Sequence, residues 1–583
     1  MPRSDGALAS FSRRFLDAGD VLTRIGDGRI GGKGTGLAKI HGEIIPRVDR
    51  SDLPGLSVAV PRLTVLATDV FDEFMASNDL YEVALSGAPD DRIAHAFQKA
   101  RFPARHVGDL RALVTGLKTP MAVRSSSLLE DDLAHPFAGV YETKMIPNNQ
   151  PEIDVRFARL IEAVKFVYAS TFMERAQSYI ASVSRDPSEE KMAVILQDVV
   201  GKKYGDRFYP AVSGVGRSFN YYPTGHGTPG DGVVSLALGL GKEIVDGGAA
   251  WTYSPAFPEA PPPVKDVGAL LKSTQTEFWA IHVGRPPLPD PIRETEYLVR
   301  PGLSEAEWDG TLRLVASTYD PDSDRLRPGL GKKGPRVVNF SPILEFGEPP
   351  LNELVSRLLA ASKEVEGMDV EIEFAVNIDD VKGKAAGGLG FLQVRPMMVS
   401  TDEVALAPED LEGPGVVLAS ESVLGNGRLE PLRDVVFVKP DVFEAKWTGP
   451  IAAELGGMNR ALAAEGRPYL LIGFGRWGSS DPWLGIPVDW GAISGARAIV
   501  EATLPEMSPD LSQGSHFFHN LLSFKVLYFS VPHGSLHPIR WDWLEQQETV
   551  RETRFVKWIR SGSPLEVAVD ARRRRGVVRR HAA

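Results

Sequence analysis

The spacing of apolar residues divides the chain into short strands and longer helices. Amphipathic stretches at 153–180 and 351–367 place apolar residues three and four positions apart, which is the pattern of a helix with one buried face. Apolar runs of strand length are predicted to form β-strands at 56–68, 121–126, 192–200, 232–240 and 370–376. Because the two kinds of segment alternate, the fold class is predicted to be mixed α/β (α+β).

A boundary is predicted where an acidic, Gly- and Pro-containing segment, 407–415, follows the strand-like 391–399. Composition changes beyond it, since seven of the ten tryptophans lie between Trp447 and Trp558. We therefore predict four parts, which are an N-terminal extension (1–19), a large domain (20–405), a smaller mixed α/β C-terminal domain (414–570) and a basic disordered tail (571–583).

Composition excludes several classes of protein. The 583 residues are 43% hydrophobic and 24% charged, as in ordinary globular domains, and no run of about 18 apolar residues predicts a membrane span. The absence of cysteine excludes disulfides, thiolate nucleophiles and Cys-ligated metals. A net charge of −11 argues against a general nucleic-acid binder, and the arginine-rich tail is the one basic exception. We expect a cytoplasmic protein without a clear nucleic-acid site.

The first candidate for chemistry is a glycine-rich segment, 25–40, in which Gly32 and Gly34 flank Lys33 ahead of a helix-like 37–40. Glycines let backbone N–H groups approach an anion, and a lysine supplies a point charge for a phosphate. The spacing differs from that of the common NTPase loop. A plain tight turn explains the segment equally well.

The second candidate is Arg124, which a short apolar strand delivers into a run of three serines. The arginine fork can hold two phosphate oxygens. The alternative is a surface arginine paired with Glu130 or Asp131.

The third candidate is a predicted hairpin formed by 370–377 and 391–396. Side chains alternate along a strand, so the hairpin would bring Glu373 near Gln393, with Arg395 on the same face as Gln393. A carboxylate and an amide oxygen suit Mg²⁺, and the arginine would then face a phosphate. The alternative is the solvated face of an ordinary hairpin.

Taken together and in order, these segments resemble the N-terminal nucleotide-binding domain of the phosphoenolpyruvate synthase and pyruvate phosphate dikinase family. That domain is of the ATP-grasp type and binds ATP and Mg²⁺. One departure is Arg62, where the family usually has a glycine. The resemblance covers roughly 20–400 and is carried by segments 31–40, 58–68, 122–132, 137–143, 192–200, 239–248, 371–377 and 392–397.

The resemblance also implies roles for matching residues. The positions that it assigns are Lys33, Gly32, Gly34 and Arg124 at the ATP phosphates; Gly139 and Thr143 along the phosphate-covering loop; Gln197 near the adenine; Glu373 and Gln393 as Mg²⁺ ligands; and Arg395 at the phosphoryl group in transfer.

The segment after residue 400 departs from the family. It is too short for the pyruvate-binding barrel, because a (β/α)₈ barrel takes about 250 residues. It carries instead a Gly- and Trp-rich stretch at 469–490 and a His-containing stretch at 512–531. His516 is the candidate phosphohistidine, with His519 as its alternative and an inert structural histidine as the other interpretation.

The sequence therefore predicts an ATP- and Mg²⁺-dependent phosphotransferase, a kinase or dikinase, acting on a small-molecule acceptor. Arg395 and Arg124 are its predicted catalytic residues, and transfer runs through His516 or directly to the acceptor. Two alternatives stay open. One is a nucleotide-binding regulatory protein with little catalysis, and the other is one subunit of a split system whose barrel comes from a partner polypeptide.

Overall fold

The structure is a computed structural model, and its backbone forms two compact units. The first comprises 1–132, 139–219 and 224–396, and the second comprises 133–138, 220–223 and 397–583. The residues that the structure describes are 8–14, 21–53, 55–128, 130, 139–182, 186–221, 223, 226–260, 267–331, 333–381, 384–397, 404–479, 481, 483–488, 490–505, 521 and 524–580.

Two six-stranded sheets form the framework of the first unit. Across the first sheet the strands are Ala9–Ser10, Leu22–Ile25, Leu63–Leu66, Met192–Asp198, Met121–Ser127 and Thr143–Ile146. Across the second they are Trp251–Tyr253, Val233–Ala237, Val212–Arg217, Val370–Val381, Lys384–Pro396 and Leu56–Ala59. Buried apolar residues of both sheets, such as Val65 and Ile372, belong to one continuous core.

Two smaller sheets complete the strands of this unit. One has four strands, Leu298–Val299, Ala280–His282, Arg207–Tyr209 and Lys202–Tyr204. The other has three, Arg325–Pro328, Ala316–Asp320 and Arg336–Val338.

The helices of the first unit pack an apolar face inward. In Leu351–Glu366 the buried Leu351, Leu354, Val355 and Leu358 recur at helical spacing, and Gly367 ends the helix in the left-handed conformation (φ 70°). The other α-helices are Gly31–Lys39, Thr68–Ser77, Tyr81–Ala84, Asp90–Lys99, Ala104–Gly116, Ile153–Ser170, Glu174–Ser182, Lys242–Val245, Val267–Ser273, Leu303–Trp308 and Ser341–Leu344.

Two predicted elements are each divided in the structure. The run at 56–68 gives Leu56–Ala59 and Leu63–Leu66, which belong to different sheets. Pro61 lies between them, and a proline has no N–H for a strand ladder. The stretch at 153–180 gives two helices, Ile153–Ser170 and Glu174–Ser182. The prediction of a mixed α/β fold is confirmed.

The second unit is built on one large sheet. Its main path runs Val416–Ser420, Arg575–Arg580, Val556–Asp570, Leu432–Val438, Tyr469–Phe474, Ala496–Ala502, Leu527–Val531 and Val423–Leu424. Two further strands, Gly427–Arg428 and Glu548–Glu552, pair with Val556–Asp570. A two-stranded ribbon joins Arg476–Trp477 to Gly485–Ile486, and the α-helices whose bounds the structure describes in this unit are Thr448–Ala464 and Trp541–Glu545. Among all the described residues, no helix combines the length and the apolar character that crossing a membrane requires.

The prediction of a disordered basic tail from residue 571 is wrong for the described part of that segment. Strand Arg575–Arg580 lies inside the large sheet, between Val416–Ser420 and Val556–Asp570. Its Val577 and Val578 are fully buried, while Arg579 forms an ion pair with Glu566 (2.9 Å). The apolar pair anchors the strand, and strand pairing places at least this arginine beside a carboxylate.

Candidate functional site

The glycine-rich segment is itself helical, because helix Gly31–Lys39 begins before the predicted 37–40. Gly31 has φ +72°, and a Cβ there would lie 1.8 Å from the carbonyl oxygen of Ser126. The Gly34 N–H donates to Ser126 Oγ at 3.0 Å. The glycines therefore press the first helical turn, which also contains Gly32, against strand Met121–Ser127. The segment is therefore part of the helix rather than a tight turn ahead of it.

Lys33 is buried in that first turn and is paired with a carboxylate. Its Nζ donates to Ser125 Oγ at 3.1 Å and forms an ion pair with Glu130. The Glu130 side chain is fully buried, and its two oxygens also accept the Ser125 hydroxyl (3.0 Å) and the Ser127 N–H (3.3 Å). The sequence analysis did not identify Glu130 as the partner of Lys33. Its alternative, an ion pair between Glu130 and Arg124, is wrong. Asp131 lies outside the described residues.

Arg124 connects the two large sheets of the first unit. Its Nη1 donates to Gln197 Oε1 and to the Leu392 carbonyl, each at 3.0 Å, and its Nη2 donates to Gln393 Oε1 at 3.0 Å. Nη2 also lies 3.8 Å from a carboxylate oxygen of Glu373. Only 12% of the side chain is exposed, so the alternative of a surface arginine is wrong.

The predicted hairpin is present, and it aligns the predicted pair. Glu373 is opposite Gln393, and Glu371 is opposite Arg395, across strands Val370–Val381 and Lys384–Pro396. Glu371 accepts from Arg217 Nε at 2.6 Å. Within the described part of the chain, the buried Nε2 of Gln393 has no hydrogen-bond partner.

The three predicted cations share one electrostatic environment. Burial lowers the pKa of Lys33, the Glu130 carboxylate opposes that effect, and the positive charges of Arg124 and Arg395 lower the pKa further. Arg395 is 4% exposed. Cationic side chains that are far apart in sequence are therefore close enough in the buried interior to act on one another, with the Glu130 and Glu373 carboxylates beside them.

Of the remaining predicted residues, Thr143 and Gln197 are neighbours of Arg124, Gly139 contacts a different arginine, and the histidines lie outside the described residues. Thr143 is opposite Arg124 in the strand ladder, and the Gly139 carbonyl accepts from Arg175 at 3.2 Å. Gln197 binds the Arg124 guanidinium, and its contact with an adenine stays a prediction. The catalytic candidate His516 and its alternative His519 fall outside the described residues.

Two side chains with oxygen donors support the prediction of a Mg²⁺ site. In the described ranges, no group of three or more His, Asp or Glu side chains is arranged to hold a metal ion. Glu373 and Gln393 supply one carboxylate and one amide oxygen on facing strands. Mg²⁺ commonly takes one or two protein ligands and completes its shell with phosphates and water. The donor set therefore fits Mg²⁺ that arrives with a nucleotide.

The mixed α/β fold, with buried cations held between two sheets, fits an ATP-grasp-like nucleotide-binding domain. Residues 27–412 match the family described as pyruvate phosphate dikinase, AMP/ATP-binding domain, and the chain belongs to this family.

Curated relatives match at low identity. The uncharacterized phosphotransferase YvkC of Bacillus subtilis is 26% identical over 222 residues, which is 36% of this chain and 22% of the relative. The prodigiosin synthesizing transferase PigC of Serratia marcescens is 28% identical over 350 residues, 59% of this chain and 30% of the relative. The phosphoenolpyruvate synthase of Aeropyrum pernix is 29% identical over 239 residues, which is 37% of this chain and 25% of the relative. The matched region thus spans less than a third of each relative, and it supports ATP-binding phosphotransferase chemistry at the level of the family.

Proposed function

We propose that this protein is an ATP- and Mg²⁺-dependent phosphotransferase, a kinase or dikinase, acting on a small acceptor. The observation that carries the proposal is the convergence of Lys33, Arg124 and Arg395 in one buried space beside Glu373 and Gln393. Phosphoryl transfer requires positioning and neutralisation of charge, and fixed buried cations supply both.

Each cation has a distinct task in this proposal. Lys33 places an ammonium in the first turn of a helix, where the positive end of the helix dipole also favours an anion. Arg124 offers a planar fork that can exchange its amide and carbonyl partners for phosphate oxygens. Arg395 would stabilise the charge that develops on the transferring group. Mg²⁺, when bound by Glu373 and Gln393, would supply neutralisation of the phosphate oxygens.

Burial makes these interactions stronger than they would be at the surface. Lys33 has 8% of its side chain exposed and Arg124 has 12%. In such an environment charges are poorly screened, so a bound phosphate is held firmly. The same environment excludes bulk water, which favours transfer to an acceptor over hydrolysis.

A second candidate is a nucleotide-binding regulatory protein with little catalysis. It is favoured by the contacts that the cations already make within the protein. Lys33 forms an ion pair with Glu130, and Arg124 donates hydrogen bonds to Gln197 and Gln393. Nucleotide binding would then exchange one set of contacts for another and change the conformation without transfer. A third candidate is one subunit of a split system whose barrel comes from a partner polypeptide.

Product analysis separates these candidates. The full chain is incubated with Mg²⁺ and ATP labelled at the β- or γ-phosphate, alone and with pyruvate or glutamine, and products are followed by phosphorus NMR. A kinase releases ADP only with an acceptor, whereas a dikinase-like enzyme releases AMP and labels the protein. Label that disappears in His516→Ala identifies the phosphohistidine. Tight ATP binding with no turnover, unchanged in Arg395→Ala, would support the regulatory protein instead, and turnover that appears only with a co-purifying polypeptide would support the split system.

A further inference from the structure

Four neighbouring strands of the second unit run parallel, so their carboxyl ends lie along one edge of the sheet. They are Leu432–Val438, Tyr469–Phe474, Ala496–Ala502 and Leu527–Val531. Open α/β sheets bind ligands outside the carboxyl ends of their strands where the strand order reverses. These four strands follow chain order, so a site here depends on the side chains at the edge. This edge belongs to the second unit, whereas the proposed nucleotide site is formed by residues of the first.

A buried carboxyl group lies at this edge. Glu501 is the next-to-last residue of Ala496–Ala502, and its side chain is 0% exposed. One of its oxygens accepts a hydrogen bond from the Tyr528 hydroxyl, whereas Oε1 has no hydrogen-bond partner in the described part of the chain. A buried acceptor without a donor costs about 1–3 kcal/mol, so proteins seldom retain one without a reason.

A cation and an aromatic ring flank the carboxyl group. Arg476 follows the end of the neighbouring strand. Burial raises the pKa of Glu501, and the positive charge of Arg476 opposes that effect. Gly473 is in register with Glu501, and the Trp477 ring lies 2.5 Å from where a Cβ of Gly473 would be. The ring therefore covers the sheet face that carries Glu501. A hydrogen-bond acceptor, a cation and an aromatic wall stand at one edge.

We propose that this edge binds a small carboxylic acid that carries a hydroxyl or amino group. Oε1 of Glu501 accepts a hydrogen bond from the hydroxyl or amino group, and Arg476 attracts the carboxylate of the ligand. Arginine and carboxylate form the stronger, charge-assisted kind of hydrogen bond. Because Oε1 is enclosed, the ligand is small and enters through local movement of the groups around it.

Binding of matched small acids to the full chain tests this site. Lactate, glycerate and serine carry the required group, and propionate lacks it. Saturation-transfer NMR should show wild type binding at least one of the first three about tenfold more tightly than propionate. Glu501→Met should remove this preference, whereas Tyr528→Phe, which deletes the neighbouring hydrogen bond and keeps Oε1, should preserve it. Arg476→Met should weaken the binding of every acid in the set.

Two results would overturn the proposal. Wild type that binds none of the three acids, or binds them no better than propionate, has no such site, and this comparison stands even where Glu501→Met does not fold. A folded Glu501→Met protein that keeps the full preference would show that Oε1 meets only an internal water. ATP binding in the first unit is measured in the same samples, so failure of this site and failure of the proposed function are read separately.

Discussion

Glu373 and Gln393 face each other across two antiparallel strands, and both direct a side-chain oxygen toward Arg124. The oxygens proposed for a metal and the guanidinium proposed for a phosphate are therefore already in contact. A nucleotide that brings Mg²⁺ would separate them, because the metal takes the oxygens and the phosphate takes the arginine. The metal and phosphate interactions are thus expected to depend on one another.

Removing the oxygen ligand of the metal tests this coupling. Glu373→Gln should raise the Mg²⁺ concentration needed for half-maximal ATP turnover by about ten- to a hundredfold, because a carboxylate ligand is lost. Asp379→Asn, on the same strand but ion-paired with Lys202, is the matched control and should behave as wild type. A Mg²⁺ requirement unchanged in Glu373→Gln would contradict the assignment.

Loss of the buried ammonium should weaken nucleotide binding. Lys33→Met alone would leave the buried Glu130 carboxylate without its ion-pair partner and destabilise the fold. The informative variant is therefore the double substitution Lys33→Met with Glu130→Gln. Its ATP dissociation constant, measured by calorimetry, should rise about ten- to a hundredfold. Lys39→Met removes a lysine of the same helix, paired with Glu366, and should leave that constant nearly unchanged. Equal effects of the two changes would mean that Lys33 does not contact the nucleotide.

Glu130 should determine the pH above which Lys33 loses its proton and ATP binding declines. The pKa of Lys33 is lowered by burial, and the Glu130 carboxylate is the group that raises it. In Glu130→Gln the ammonium therefore loses its proton at a lower pH, and ATP binding should decline at a lower pH than in wild type. Glu43→Gln, an exposed change in the following helical turn, serves as control. Superimposable pH profiles of Glu130→Gln and wild type would refute this role.

The closest backbone approach in the site can be tested by adding one methyl group. Gly31→Ala places a Cβ 1.8 Å from a carbonyl oxygen at φ +72°, so the unfolding free energy should fall by roughly 3 kcal/mol or more. Gly42→Ala has open space around its new Cβ and should be neutral or slightly stabilising. Thermal unfolding of both proteins provides the measurement, and equal midpoints would show that the helix can move away from Ser126.

Glu501 should make the second unit less stable as pH rises. Burial raises the pKa of Glu501 to about 7 from its usual 4.5, so the folded chain holds a proton that the unfolded chain releases between these values. The unfolding free energy should therefore fall between pH 4.5 and 7, by up to roughly 3 kcal/mol. Glu501→Gln cannot titrate, so its unfolding free energy should not show this decrease with rising pH. Urea unfolding at pH 5 and pH 8 measures the difference, and identical slopes in the two proteins would exclude a raised pKa.

The sequence was sufficient for features that depend on local pattern. Alternating side chains on two strands joined as a hairpin predicted Glu373 near Gln393, and the structure places the two opposite each other. Apolar spacing located Leu351–Glu366 to within a residue of its observed end. In both cases the determining interactions lie within a few residues of each other.

Features that depend on distant packing were not predicted. Glu130 is 97 residues from Lys33, and nothing in either segment indicates that they meet. The glycines around Lys33 suggested a loop, whereas contact with Ser126 draws them into the first turn of a helix. The arginine-rich segment predicts a disordered tail, because Val577 and Val578 are a weak apolar signal by themselves. Two neighbouring strands, one of them from the beginning of the same unit, supply the partners that fix it.

The position of strand Arg575–Arg580 in the large sheet has a consequence for folding during translation. Val416–Ser420 has Arg575–Arg580 as its only ladder neighbour among the described strands, although the ribosome synthesises the two far apart in time. During translation the earlier strand must wait with its backbone groups unpaired, and an unpaired strand edge invites pairing with another chain. Shortening the polypeptide before Arg575, or fusing a bulky partner directly behind Arg580, is therefore expected to cause aggregation of nascent protein rather than a clean loss of a terminal segment.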